Sequence, residues 1–246
     1  MSKRRFQPSI AALLATLAVM AVCVRLGVWQ LDRAAEKRAW QEQVDTRGAT
    51  PPRTLPDLLA RSEPAHYPVR FSGIPDNQHT VLLDNRMLEG VAGYYVLTPV
   101  ASDAGTTVLV NRGWLARGRD RQTLPTVPPL PTPVTVEGHA YVPGDAFTLE
   151  TPGNTGQDWP ARVQSVDIDA LAERLGQPLA PFEVRVAPDY PLETGEQMVR
   201  VWHDARLGPE RHRAYAVQWF AMACAVCLIF LFASLRRTQA TNPMDA

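Results

Sequence analysis

Between residues 32 and 212 the chain has no cysteine; its three, Cys23, Cys224 and Cys227, all fall inside apolar runs near the two ends. No disulfide can brace the middle, which must stand on its own core, and an oxidising compartment is neither required nor excluded. An excess of one charge is lacking too. Lysine and arginine number 25 against 25 acidic residues, which removes the basic footprint of a nucleic-acid binder. Also missing are a glycine-rich phosphate loop, a nucleophile-elbow sequence and a histidine pair at helical metal-ligand spacing. The sequence therefore reads as a binding or assembly protein rather than an enzyme.

What the chain does have is long hydrophobic runs. Tyr215 to Leu235 carries no charge over 21 residues, enough at roughly 1.5 Å per residue to cross a hydrocarbon core of about 30 Å. Tyr215, Trp219 and Phe220 stand at its start, where amphipathic rings favour the interface, and Arg236 and Arg237 close its end. The run Ile10 to Val24 is shorter and meets Arg25. A helix continuing through Leu26, Val28 and Trp29 leaves Arg25 near the outer interface, where it can snorkel. The competing reading is a secretory signal peptide, with Lys3, Arg4 and Arg5 as its basic start and Val19-Met20-Ala21 as its cleavage site. Helical sequence beyond Ala21 favours an uncleaved span, and bulky Val22 disfavours lipidation at Cys23.

The expected organisation is a cytoplasmic terminus (1–9), a first span (10–31), a β-rich domain with a helical stalk (32–212), a second span (213–235) and a cytoplasmic tail (236–246). Basic residues flank both ends of each span, so charge alone only leans toward both termini being cytoplasmic. Cys224 and Cys227 form a C-x-x-C pair, but inside a spanning helix small polarizable residues serve mainly as packing.

In the middle, 22 prolines in the whole chain, many within 51–68 and 125–143, argue for short strands and stiff loops. Strand signals lie at Val69–Gly73, Thr80–Leu88, Tyr94–Val100, Thr106–Leu115, Pro133–Val142, Phe182–Ala187 and Gln197–Trp202. Val134, Val136, Gly138, Ala140 and Val142 alternate with Thr135, Glu137, His139 and Tyr141, the period of a half-buried strand. Asp167 and Gly176 bracket one helix, and Leu55–Arg61 is a second, short one. The fold class is thus a membrane protein with two transmembrane α-helices flanking an antiparallel, α+β extramembrane domain, built as a barrel or a strongly bent sheet.

The first helix is expected to run on as a stalk to about Trp40. Leu26, Trp29, Gln30, Arg33, Lys37 and Trp40 then share about 100° of arc, either as a solvated amphipathic edge or as a contact face. Of the five histidines, His66, His79, His139 and His203 carry no signal beyond ordinary surface or core use. His212 has an informative address, one turn before Tyr215 and on one face with Tyr215 and Trp219. It reads either as an interfacial histidine beside an aromatic belt, which the residues alone favour, or as a haem iron ligand.

Leu26-Gly-Val-Trp-Gln-Leu31 with Arg33 and Lys37, Val110-Asn-Arg-Gly-Trp114, and His212 with Tyr215-Ala-Val-Gln-Trp-Phe220 together resemble the SURF1 family. Gly93-Tyr-Tyr-Val-Leu-Thr-Pro99 and Leu175-Gly-Gln-Pro-Leu-Ala-Pro-Phe182 add to the likeness, in order and over nearly the whole chain. The resemblance implies an assembly factor for cytochrome c oxidase that binds haem a transiently and aids its insertion into subunit 1, in concert with the haem a synthesis machinery. It implies a bacterial inner membrane location with the large domain periplasmic; the first span begins too near residue 1 to leave room for a mitochondrial presequence. His212 maps to the family's membrane-proximal histidine and is the expected metal ligand. Trp29, Tyr215 and Trp219 are expected to border the macrocycle, Arg33 or Lys37 to meet a propionate, and Arg112 to approach the same site or stabilise a loop. The rivals are a scaffold that never touches haem and a thiol oxidoreductase using Cys224 and Cys227.

Overall fold

The computed structural model describes residues 4–6, 9–118, 123–144, 158–195, 198–202 and 208–237. Along the chain run β1 (Arg4–Phe6), α1 (Ile10–Gly48), α2 (Leu55–Leu59), β2 (Pro68–Pro75), β3 (Val81–Leu88), β4 (Val91–Ser102), β5 (Thr107–Ala116) and β6 (Val134–Tyr141). Then follow β7 (Ala161–Val163), α3 (Ile168–Leu175), β8 (Leu179–Val186), α4 (Pro209–Ser234) and β9 (Leu235–Arg237). Two compact units result: residues 1–43 with 204–246, and residues 44–203.

The first unit is an antiparallel helix pair. α1 spans 39 residues and α4 spans 26, about 58 and 39 Å at 1.5 Å per residue, and each is long and apolar enough to cross a membrane. Only 11% of the most apolar window of either helix is buried, which distinguishes them from the core helices of a globular domain. α1 is unbroken past Ala21, and it extends to Gly48 rather than ending near Trp40. At the far end β1 pairs antiparallel with β9, Arg4 opposite Arg237 and Phe6 opposite Leu235.

The residues buried between the helices are small. Cys23, Gly27 and Ala34 on α1 and Ala216 and Ala223 on α4 form the seam. A methyl group at Gly27 would lie 2.7 Å from Cε1 and Cζ of Phe220, so the absent side chain is what admits the aromatic ring. The arc of Leu26, Trp29, Gln30, Arg33, Lys37 and Trp40, read as a solvated edge or a contact face, is centred roughly a quarter of a turn from this seam at 100° per residue; of its members Gln30 lies nearest to it.

The second unit is a closed five-stranded barrel. Neighbouring strands run β2-β6-β8-β5-β4, and β2 returns to pair with β4. β4 makes closure possible because it is 12 residues long. One edge follows β5, while the other is shared between β3 along Val91–Leu97 and β2 along Val100–Ser102. β7 extends the sheet beyond β3 in parallel. The seventh expected strand is reduced to a single bridge, Val199 to Trp114; Gln197 lies outside the described residues.

Inward residues of alternate positions fill the barrel: Val69, Phe71, Val108, Val110, Val134, Val136, Phe182, Val184 and Val186. β6 is buried at every second residue, as its alternation predicts. α3 is capped by Asp167, whose side chain accepts from the Ala170 N–H, and by Gly176 in the left-handed conformation. It covers a second cluster outside the barrel, with Leu83, Leu97, Leu109, Val163 and Leu171. β5 is therefore buried on both faces, Val108 and Val110 inward, Leu109 and Asn111 outward.

Candidate functional site

The site expected from the sequence rests mainly on the helical unit. His212 lies in the first turn of α4, which opens at Gly208 with Pro209 as its first helical residue. Its Nδ1 is 2.8 Å from Oε1 of Gln30 on α1. A side-chain carbonyl oxygen accepts, so Nδ1 carries the proton and donates. With Gln30 Oε1 as the acceptor, the ring is in the tautomer whose Nε2 can bind iron. No other partner of this imidazole is recorded among the described residues.

Trp219 is half-buried, and Tyr215 and Trp29 are exposed, 49% and 43%. At 100° per residue, His212, Tyr215 and Trp219 fall within about 60° of arc on α4, which presents an imidazole and two rings on one flank. Arg33 is engaged locally: its guanidinium bonds Glu36 at 2.7 Å and stands 5.9 Å from the Trp29 ring. A groove of about 250 Å3 runs along the same helix pair, floored by Ala34, Ala35 and Ala39 and edged by Arg38 and Arg213. These two arginines and Gln30 were not singled out for a role by the sequence, where the aromatic and charged stripe drew the eye. The repeat of alanines at helical spacing was the available signal.

Arg112 belongs to the barrel unit, where it is fully buried on the inward side of β5. Its Nε donates to Glu193 Oε1 at 3.2 Å, and the other Glu193 oxygen accepts from Arg200. Arg200 Nε in turn donates to the Arg112 carbonyl at 2.7 Å. Burial pulls the Arg112 guanidinium below its ordinary value, with Glu193 opposing. Both terminal nitrogens of Arg112 are buried with no hydrogen-bond partner among the described residues. Arg112 is tied into an ionic cluster with Glu193 and Arg200, an arrangement in keeping with the loop-stabilising alternative.

The other residues of the Asn-Arg-Gly-Trp segment are equally spoken for. Asn111 donates to Glu183 at 3.3 Å, and Trp114 Nε1 donates to the Arg86 carbonyl at 2.9 Å. Gly113 has φ of +133°, and a Cβ there would sit 2.9 Å from the Val199 carbonyl oxygen, so only glycine permits the bridge from Trp114 to Val199.

The remaining histidines serve locally. His79 pairs with Asp76 at 2.6 Å and meets Trp159 edge-on, and the backbone N–H of His66 donates to Ala140. His139 is held below its usual value by burial, Glu137 and the Gly48 backbone opposing. His203 lies outside the described residues. No cluster of three or more His, Cys, Asp or Glu gathers among the described residues. Cys23 is buried in the seam, whereas Cys224 is exposed and Cys227 half-buried, all as free thiols.

A family model described as the SURF1 family matches residues 17–224, most of both helices and the whole barrel. The chain belongs to the SURF1 family. A SURF1-like protein of Mycobacterium tuberculosis is 28% identical over 231 residues, covering 89% of this chain and 82% of that one. One of Rickettsia felis is 26% identical over 105 residues, 42% of this chain and 46% of its own. A SURF1-like protein of Dictyostelium discoideum reaches 51% identity over 41 residues, 17% of this chain and 15% of its own. The SURF1 match takes in both the His212 end of α4 and the Asn111–Trp114 segment.

Proposed function

We propose that this SURF1-family protein is an assembly factor for cytochrome c oxidase that carries haem a transiently and aids its insertion into subunit 1. It would sit in a bacterial inner membrane with both termini cytoplasmic and the barrel periplasmic, receiving cargo from the haem a synthesis machinery. The observation that carries the reading is the Gln30–His212 bond. A free histidine ring turns and exchanges tautomers. One pinned through Nδ1 offers a single, oriented iron ligand, and one ligand suits a carrier that must let go.

The surroundings support the same cargo. Haem a joins an apolar tail, which belongs in lipid, to two propionates, which belong beside cations at the interface. Exposed apolar helix faces serve the first need, and Arg38 and Arg213, which line the alanine groove together with Glu42, are the cations available for the second. Arg33, already tied to Glu36, is the lesser candidate.

The rival is a scaffold that never touches haem; it draws on the exposed Met87 and Val91 of the β3–β4 hairpin. Co-expression with haem a synthesis enzymes, purification and pigment extraction separate the two. The carrier reading expects haem a in the purified protein, and its absence would favour the scaffold.

A further inference from the structure

On the outer face of the barrel a cleft of about 210 Å3 opens over β8, and charged side chains from two strands converge on it. Glu183 projects outward between inward-facing Phe182 and Val184, yet is only 1% exposed. Its Oε1 accepts from Asn111 Nδ2 at 3.3 Å and from Arg185 Nε at 2.9 Å. Its Oε2 is buried in the lining with no partner among the described residues.

The cations there are only partly used. Arg185 lies over Tyr141, 3.3 Å from the ring centroid, with Trp202 at 5.4 Å on its flank. Its recorded hydrogen bond uses Nε alone. Arg86 stands 5.9 Å from the Tyr95 ring; its Nε is buried and unpaired, and its recorded donation is a long 3.5 Å contact with the Gln164 carbonyl. Leu83 and Val166 supply apolar wall.

Guanidinium groups stacked on rings present their N–H edges in a fixed plane, the geometry that matches a carboxylate. Two such groups against one carboxyl leave the cleft net positive. Its volume of about 210 Å3 suits an acid group on a small body. We infer that this cleft binds a carboxylate carried on a compact apolar or aromatic body, anchored by Arg86 and Arg185 above the Glu183 floor. The acid can come from a free small molecule or from the C-terminus of a peptide.

Glu183 gives the site a pH signature. Burial pushes its carboxyl above the ordinary glutamate range, with Arg185, Asn111 and Arg86 opposing. Protonated, the Glu183 carboxyl sets no charge against a bound acid; ionised, it repels it. The other groups around it are Tyr141, its register partner on β6, Tyr95 from β4, and His139, the register partner of Arg185. Tyr95 is raised by burial and His139 lowered by burial, so both stay neutral through the neutral range.

The test uses the full chain in detergent micelles. 4-Fluorobenzoate is titrated with 19F NMR line broadening as the readout, 4-fluorobenzamide controls for micelle partition, and N-acetyl-alanyl-phenylalanine serves as competitor. Broadening is expected for the acid and not for the amide, strengthening as pH falls. Arg86→Gln should weaken it roughly tenfold, about 1.4 kcal/mol. Glu183→Gln, which keeps the Oε1 contacts but cannot ionise, should bind at least as well at pH 7.5 and show a flat pH profile. Displacement by the peptide at tenfold lower concentration than by unlabelled benzoate assigns the site to chain termini; the reverse order assigns it to free acids. Equal broadening by acid and amide, or wild-type affinity in Arg86→Gln together with an unchanged pH profile in Glu183→Gln, overturns the inference.

Discussion

Gln30 and His212 stand 182 positions apart and meet at 2.8 Å, a hydrogen bond from one helix to the other. It makes the imidazole a product of the helix pair rather than of α4 alone. Gln30→Leu should therefore act on cargo without touching the ligand itself. Loss of an outer partner of a metal-binding histidine lowers affinity about 10- to 100-fold. Titration of the purified protein with haem should show that weakening, and equal affinity would remove Gln30 from the account.

The seam depends on the missing side chain at Gly27. Gly27→Leu should destabilise the helix pair by about 1–3 kcal/mol, the usual range for overpacking. Combining it with Phe220→Ala, which vacates the colliding ring, should restore most of the loss. Thermal aggregation of the three variants in one detergent measures this. A double variant no better than Gly27→Leu would place the Phe220 ring outside the interface.

Glu193 sits between two buried guanidinium groups, Arg112 and Arg200. Glu193→Ala leaves both cations uncompensated and should cost roughly 3–5 kcal/mol. Arg112→Met preserves volume and leaves Glu193 paired with Arg200, so its cost should be clearly smaller. Denaturant unfolding followed by tryptophan fluorescence compares them; the reverse order would contradict the ionic cluster.

A raised carboxyl in the folded state means that folding takes up protons. The stability linked to Glu183 is complete below the ordinary glutamate value of about 4.3 and is lost as pH rises through the raised folded value. Glu183→Gln has no such loss. Its stability relative to wild type should increase with pH over that window in denaturant melts, and a constant difference would deny the shift.

How far the sequence reached can be judged from particular elements. β6 and α3 were legible because each is specified locally, one by strict alternation, the other by Asp167 and Gly176 at its two ends. A barrel was one of the two shapes expected, but the strands that close it were not legible, because closure rests on three residue pairs between β2 and the far end of β4, which no local pattern encodes. The motif left Arg112 as either a loop-stabilising or a ligand-approaching group. Only a strand buried on both faces explains why an arginine there turns inward to Glu193. At the helix pair the seam was not legible, because in lipid helices pack through their small residues, and Cys23, Gly27 and Ala34 offered no chemistry to notice.

The central claim is that the Nε2 of His212 is the cargo's contact. The most direct measurement is the absorption spectrum and extracted pigment of wild type and His212→Ala, each co-expressed with haem a synthesis enzymes and purified from membranes at matched yield. The account predicts haem a in the wild type and its loss or a clear spectral change in the variant. Equal haem a content and an unchanged spectrum in His212→Ala would contradict it.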